Sequence, residues 1–275
     1  ELLLTELPEN RYDHSHTHYL IDRKEISYCY SATLLKEMRG KVHLETTNYE
    51  LLGLAPFSPA DTVRLGSNRL FRSMELGDPV LPDLPASRSE VVSVSTLLDG
   101  DAFCGTVANL DLFKELAEQY RILLLATHAV VNDRLGNFSF LALAHPDSTN
   151  LYQKLYIHDL YSYSLNADMV VLSACKTGVG YYQRGEGLIS LARAVSYAGG
   201  KSVFTTLWPV DDQASKEIII SFFRYLKSDK GFSKSEALRF AKMEYIKNHS
   251  GTDANPVYWA GFIGIGDMSP IYCKP

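Results

Sequence analysis

Two short, almost purely apolar runs constrain this chain more than any other feature, because each leads directly into a residue with chemistry. The first is Ile122-Leu123-Leu124-Leu125-Ala126-Thr127, followed by His128; the second is Met169-Val170-Val171-Leu172-Ser173-Ala174, followed by Cys175. Continuous runs of this length predict strands buried on both faces, the kind found in parallel sheets. In an open parallel sheet, ligands bind outside the carboxyl ends of the strands. If the two strands are neighbours, an imidazole and a thiol meet at one sheet edge. A thiolate nucleophile and a base that can also protonate the leaving group are the minimum machinery of a cysteine hydrolase.

Composition excludes several other classes. The chain has 275 residues, 46% of them hydrophobic, enough for one large α/β domain or two small ones. With 27 basic and 32 acidic residues the formal charge is −5, and no basic stripe with interleaved aromatics suggests a nucleic-acid surface. No apolar stretch approaches the ~18 residues a membrane span needs, so no membrane partner is expected. Cys29, Cys104, Cys175 and Cys273 lie far apart without a CxxC pair. That argues against a disulfide framework or zinc knuckle and fits a reducing, cytoplasmic setting. The opening Glu1-Leu2-Leu3-Leu4-Thr5 lacks a starting Met and is read as part of a longer chain.

From residue 106 onward strands alternate with helices, which predicts an α/β fold: a mostly parallel sheet covered by helices on both faces. Tyr19 to Tyr30 reads as a strand pair or a kinked strand. Ser31 can cap a helix through Met38, and Tyr49 to Ala55 is a strand closed by Pro56. Residues 57–86 form a long connection with a short strand near Leu70-Phe71. Helices are expected over Ser87 to Leu98, Thr106 to Gln119, Tyr156 to Leu165, Leu188 to Tyr197, Asp212 to Leu226 and Ser233 to Lys247. Ser233 with Glu236 makes a capping box. Further strands are expected near Asn137 to Leu143, Lys201 to Leu207 and Phe262 to Ile265.

Cys175 is followed by Lys176-Thr177-Gly178-Val179-Gly180, a polar turn with a lysine that favours a thiolate. A buried core cysteine is the plainer alternative. His128 sits where the chain leaves the sheet; its plainer alternative is a satisfied histidine at a strand end. The backbone N–H groups of Cys175 and Ala129 then form a plausible oxyanion hole. Leu207-Trp208-Pro209-Val210-Asp211-Asp212 follows the next strand and brings two carboxylates to the same edge. One of Asp211 and Asp212 should cap the following helix, leaving the other for a basic substrate side chain. His14, His16 and His18 alternate, but a solvated loop explains them better than a metal site. Asn132 and Asp133 are as good turn formers as imidazole partners. No metal or organic cofactor is expected.

At this point the residues resemble a known family. The strings ATHA (126–129), LSACKTG (172–178), GEGLISLARAVSYAGGKSV (185–203), LWPVDD (207–212) and YWAGFIGIGD (258–267) resemble the CHAT domain, whose members are caspase-like cysteine peptidases of clan CD. The resemblance runs from about residue 19 to 267. It implies one CHAT domain over 1–275, with an N-terminal section 1–86 and a catalytic core 87–275. It implies His128 as base and Cys175 as nucleophile. It also implies an S1 pocket drawing on Asp212, Asp211, Ser173 and Trp208, because Trp208 to Asp212 is similar to a segment that supplies the acidic S1 floor in separase. Metacaspases carry an Asp two residues before the nucleophile, where this chain has Ser173. Most relatives have Gly after the histidine, where this chain has Ala129.

The function so implied is a cysteine endopeptidase acting on a specific protein substrate, such as a gasdermin or a CRISPR-associated partner, in a bacterial defence or cell-death pathway. Its activity would be gated by an activating partner or by a tetratricopeptide-repeat region of the same protein. A catalytically silent scaffold is the alternative. A glutaminase-type amidase is a third reading, disfavoured because its usual order is Cys before His.

Overall fold

The computed structural model describes residues 19–41, 49–59, 70–71, 77–130, 138–173 and 186–272. In chain order these residues form α1 (Ala32–Gly40), β1 (Tyr49–Ala55), β2 (Leu70–Phe71), β3 (Leu81–Pro82), α2 (Ser87–Leu98), β4 (Asp101–Cys104), α3 (Leu110–Leu116), β5 (Tyr120–Leu125) and β6 (Ala129–Val130). They continue with β7 (Phe140–His145), β8 (Ser148–Tyr156), α4 (Ile157–Leu160), β9 (Met169–Leu172), α5 (Glu186–Tyr197), β10 (Ser202–Thr206), α6 (Asp212–Leu226), α7 (Lys234–Asn248), α8 (Pro256–Trp259) and β11 (Phe262–Gly266).

The central sheet has the order β11-β10-β9-β5-β1-β4. Its members run parallel except β11, which pairs antiparallel with β10. The two apolar runs are therefore neighbours, with Leu125 opposite Leu172. Alternate side chains leave opposite faces of a strand, and the core divides accordingly. Leu51, Ile122, Leu124, Met169, Val171 and Phe204 pack with Val94 of α2 and Phe222 of α6. Leu52, Leu123, Leu125, Val170, Leu172 and Val203 pack with Phe113 of α3 and Val195 of α5. This is an α/β/α sandwich around a mostly parallel sheet, as the alternation of strands and helices predicts. β6, β7 and β8 form a separate antiparallel sheet, and β2 and β3 pair as a short ribbon.

Local signals set most boundaries. Ser31 accepts from Leu34 N–H at the start of α1, and Ser233 and Glu236 form a reciprocal capping box on α7. Gly53 lets α2 lie close on β1: a Cβ there would sit 2.5 Å from Val91 Cγ1. Several stretches differ from expectation, among them the edge strand β4, which was not expected. Residues 19–30 form a 3-10 turn, Leu20–Asp22, and isolated bridges, one of them from Tyr28 to Ile265, rather than a strand pair. Arg239 donates to the carbonyls of Ile21 and Asp22, which holds the segment in a turn. The helix expected over Thr106 to Gln119 is regular only in α3, because the Asn109 side chain accepts from Leu112 N–H and starts it there. The strand β8 ends where a helix was expected to begin, and that helix contracts to α4. Among the described residues no helix is long and apolar enough to cross a membrane.

Candidate active site

Consecutive parallel strands deliver the candidate residues to one edge. Phe57 lies just past β1, His128 just past β5, Ser173 just past β9 and Asp212 beyond β10. Leu125 and Leu172 are register partners, and His128 and Cys175 each follow their partner by three residues (128 − 125 and 175 − 172). Ser173 N–H donates to Leu125 C=O at 3.2 Å, which continues the pairing one residue further. Cys175 itself lies outside the described residues, as do His14, His16, His18, Asn132 and Asp133.

His128 is fully buried, at 0% exposure. Its Nε2 lies 2.8 Å from the carbonyl oxygen of Pro82. A carbonyl only accepts, so Nε2 carries the proton, and in the neutral ring Nδ1 is the basic nitrogen. The edge of Phe57 meets the imidazole at a centroid distance of 4.7 Å and an interplanar angle of 83°. Phe57 C=O in turn accepts from Leu84 N–H at 2.9 Å. The segment carrying Pro82 is thus bonded to both the ring and the loop beneath it.

Ala129 occupies extended backbone in β6, opposite Leu141. The bond from Ala142 N–H to His128 C=O, 2.9 Å, puts Ala129 at a non-hydrogen-bonded position of this antiparallel pair. Its own N–H is therefore directed away from β7. Among the described residues Asp99 is the only non-glycine with positive φ, so an alanine sits here without strain.

The four pocket candidates divide. Asp211 is the N-cap of α6; its side chain accepts from Gln213 and Ala214 N–H at 3.0 and 3.1 Å. Trp208 donates from Nε1 to Val257 C=O at 2.8 Å and covers Gly261. Asp212 accepts from Ala86 N–H at 2.6 Å, so it fastens the start of α2 to α6. Ser173 is 2% exposed, and its carbonyl accepts from Ser215 Oγ at 2.8 Å. Asp212 and Ser173 converge on a residue the sequence reading missed, Glu90 of α2. Glu90 is 1% exposed. Burial pushes its carboxyl up to about 8; the Ser173 hydroxyl bonded to it opposes that, Asp212 adds to it and Lys216 opposes it. The signal was present: Ser87, Glu90, Val91, Val94 and Leu98 are the buried stripe of α2 at helical spacing, and an acid within an apolar stripe is the anomaly to notice. Pro82 and Phe57 were missed as well. Among the described residues no three His, Cys, Asp or Glu side chains are placed to hold a metal ion.

Comparison with known proteins bears on the family and the fold. The sequence model of the family described as "CHAT domain" matches residues 4–267. Tetratricopeptide repeat protein 28 of Mus musculus is 35% identical over 108 residues, which is 39% of this chain and 4% of that protein. Its Homo sapiens counterpart is 40% identical over 81 residues, 30% of this chain and 3% of that protein. The chain thus spans only a small part of the length of these curated relatives. Among solved structures, the Arg specific cysteine proteinase gingipain R superposes with a TM-score of 0.50 at 10% identity, over 86% of this chain and 52% of that one. At that identity the likeness shows the fold, a caspase-like one. A family match over nearly the whole sequence, on a sheet of this order, makes the chain a member of the CHAT domain family.

Proposed function

We propose that this domain is a cysteine endopeptidase with His128 as base and Cys175 as nucleophile. The observation that carries the reading is the pairing of β5 with β9, from which both residues follow at equal offset. Nδ1 of His128 takes the thiol proton, and the thiolate attacks the substrate carbonyl carbon. The oxyanion is held by the N–H groups of Ala129 and Cys175. The amine leaves with the proton from His128, and water hydrolyses the acyl-thioester.

On this reading the substrate is a specific partner protein, and cleavage is gated by a regulator, in keeping with a cytoplasmic defence or cell-death role. The curated relatives carry tetratricopeptide repeats in their names, which supports such a region of the same protein as that regulator. The neighbour gingipain R is an Arg specific cysteine proteinase, which makes a basic residue before the scissile bond the first to try. The test is cleavage of a positional-scanning fluorogenic peptide library by the protein and its Cys175→Ala variant. Turnover lost in Cys175→Ala supports the peptidase. Turnover retained in full by that variant ends the assignment.

A further inference from the structure

The corner that carries His128 joins two sheets, and Thr127 bonds across the joint. The bond from Ala126 N–H to Leu54 C=O, 2.9 Å, carries the pairing of β5 with β1 as far as Ala126. In the small sheet Ala129 lies opposite Leu141 and Val130 opposite Phe140. Carried back one step, that register sets His128 opposite Ala142, and Ala142 N–H donates to His128 C=O at 2.9 Å. A hydrogen-bonded antiparallel pair exchanges two bonds, so regular pairing would return one from His128 N–H to Ala142 C=O. Instead the hydroxyl of Thr127 donates to that carbonyl. Thr127 is 2% exposed and Ala142 is fully buried. The chain thus leaves the ladder at His128 and turns there from β5 into β6.

Two anchors then hold the imidazole. Pro82 C=O holds it at Nε2. Thr127 and Ala142 hold the main chain at its root. A shift at either end re-aims Nδ1, the nitrogen that takes the thiol proton on the peptidase reading. We propose that Thr127 is a positioning residue for this base: its buried hydroxyl takes the place of a ladder N–H and holds the corner from which the His128 ring reaches Pro82. The hydroxyl touches no reacting atom; it acts through Ala142 and His128. Without it the buried Ala142 carbonyl loses that donor, which is costly in a dry interior. The group that regular pairing would bring to the carbonyl is His128 N–H, one residue on. That move rotates the peptide between Thr127 and His128 and draws the imidazole away from Pro82. A threonine that only filled space would give way to valine with no effect on the ring. The consequence for rate rests on the peptidase reading; the consequence for the ring does not.

The test compares wild type with Thr127→Val, which keeps the shape and removes the hydroxyl, and Thr127→Ser, which keeps the hydroxyl. Nitrogen-15 NMR follows the Nε2–H of His128. Steady-state kinetics on the library peptide that wild type cleaves fastest follows turnover. We expect Thr127→Val to replace the single Nε2–H form with a mixture of tautomers. Its kcat should fall by about 10- to 100-fold with KM nearly unchanged, as expected for a misplaced base. Thr127→Ser should keep the Nε2–H form and recover most of kcat. Thr127→Ala also lacks the hydroxyl and reads the same quantities should the valine variant fail to fold. An unaltered resonance or an unaltered kcat in the variant without the hydroxyl overturns the proposal. So does a Thr127→Ser protein that behaves like Thr127→Val, or a wild type without the Nε2–H form. Absence of turnover by wild type contradicts the peptidase and leaves the resonance to decide Thr127: its loss in Thr127→Val and survival in Thr127→Ser uphold the positioning role. Turnover by wild type that Thr127→Val matches contradicts Thr127 and not the peptidase.

Discussion

The imidazole of His128 donates its Nε2–H to the carbonyl oxygen of Pro82 at 2.8 Å, which fixes the ring's tautomer and turns Nδ1 into the basic nitrogen. We expect nitrogen-15 NMR of the neutral protein to show His128 protonated on Nε2. A predominant Nδ1–H form would remove the base from the proposed reaction.

Phe57 holds the same ring from its edge and is 1% exposed. Phe57→Ala should cost about 3 kcal/mol in unfolding free energy and lower kcat well beyond any change in KM. Phe57→Leu, which keeps most of the apolar volume, should recover most of the stability and little of the rate. Denaturant unfolding and steady-state kinetics on the two variants check both halves.

Much of this arrangement was legible in the sequence, for identifiable reasons. The strands β5 and β9 were marked by unbroken apolar runs, because parallel strands are buried on both faces. The helix α6 was legible to the residue, since Asp211 caps it and supplies its first hydrogen bonds. What escaped depends on tertiary path rather than residue type. The carbonyl of Pro82 is a backbone group, and nothing local says that the segment around it crosses over His128. The strand β8 was hidden because Gln153 and Lys154 interrupt its apolar pattern. Two helices were misjudged in length: α3 begins late because Asn109 caps it there, and α4 starts beside Tyr156 as expected but stops at Leu160. The importance of Glu90 was legible only as an acid out of place.

At the opposite, amino edge of the sheet, Asp168 pairs with Arg121 at 2.9 Å and Lys201 at 3.0 Å. Burial pushes the Asp168 carboxyl up, but the bonds from Lys201 and Arg121 outweigh it and hold the group below its ordinary 3.8. A depressed carboxylate stabilises the fold above its unfolded value, and that stability is lost as pH falls through the folded value. Asp168→Asn should therefore cost about 3 kcal/mol near neutrality. Its deficit against wild type should shrink below pH 3.8. A deficit independent of pH would show that charge is not the cause.

Glu90 has the opposite sign. Its carboxyl rises from 4.5 to about 8 on folding, so its contribution is fully present below 4.5 and is lost as pH rises through 8. Glu90→Gln cannot ionise. In thermal melts the wild type should lose stability relative to Glu90→Gln as pH rises over that window, by a few kcal/mol in all. Parallel curves would mean that Glu90 is not buried as the neutral acid.

Gly53 is needed for the close approach of α2, since a Cβ would lie 2.5 Å from Val91 Cγ1 and 3.2 Å from Ser95 Oγ. Gly53→Ala should cost about 1–3 kcal/mol by overpacking. Retained stability would show that the helix tolerates displacement.

The most direct measurement of the His128–Cys175 pair is the rate of iodoacetamide alkylation at each cysteine, followed by mass spectrometry in wild-type and His128→Ala protein. Cys29 is exposed and serves as the internal reference. We expect Cys175 to be alkylated well ahead of Cys29 near neutral pH and to lose that advantage in His128→Ala, because a partner base raises the thiolate fraction. Alkylation of Cys175 no faster than Cys29, or unchanged by the loss of His128, would contradict a catalytic dyad at this sheet edge.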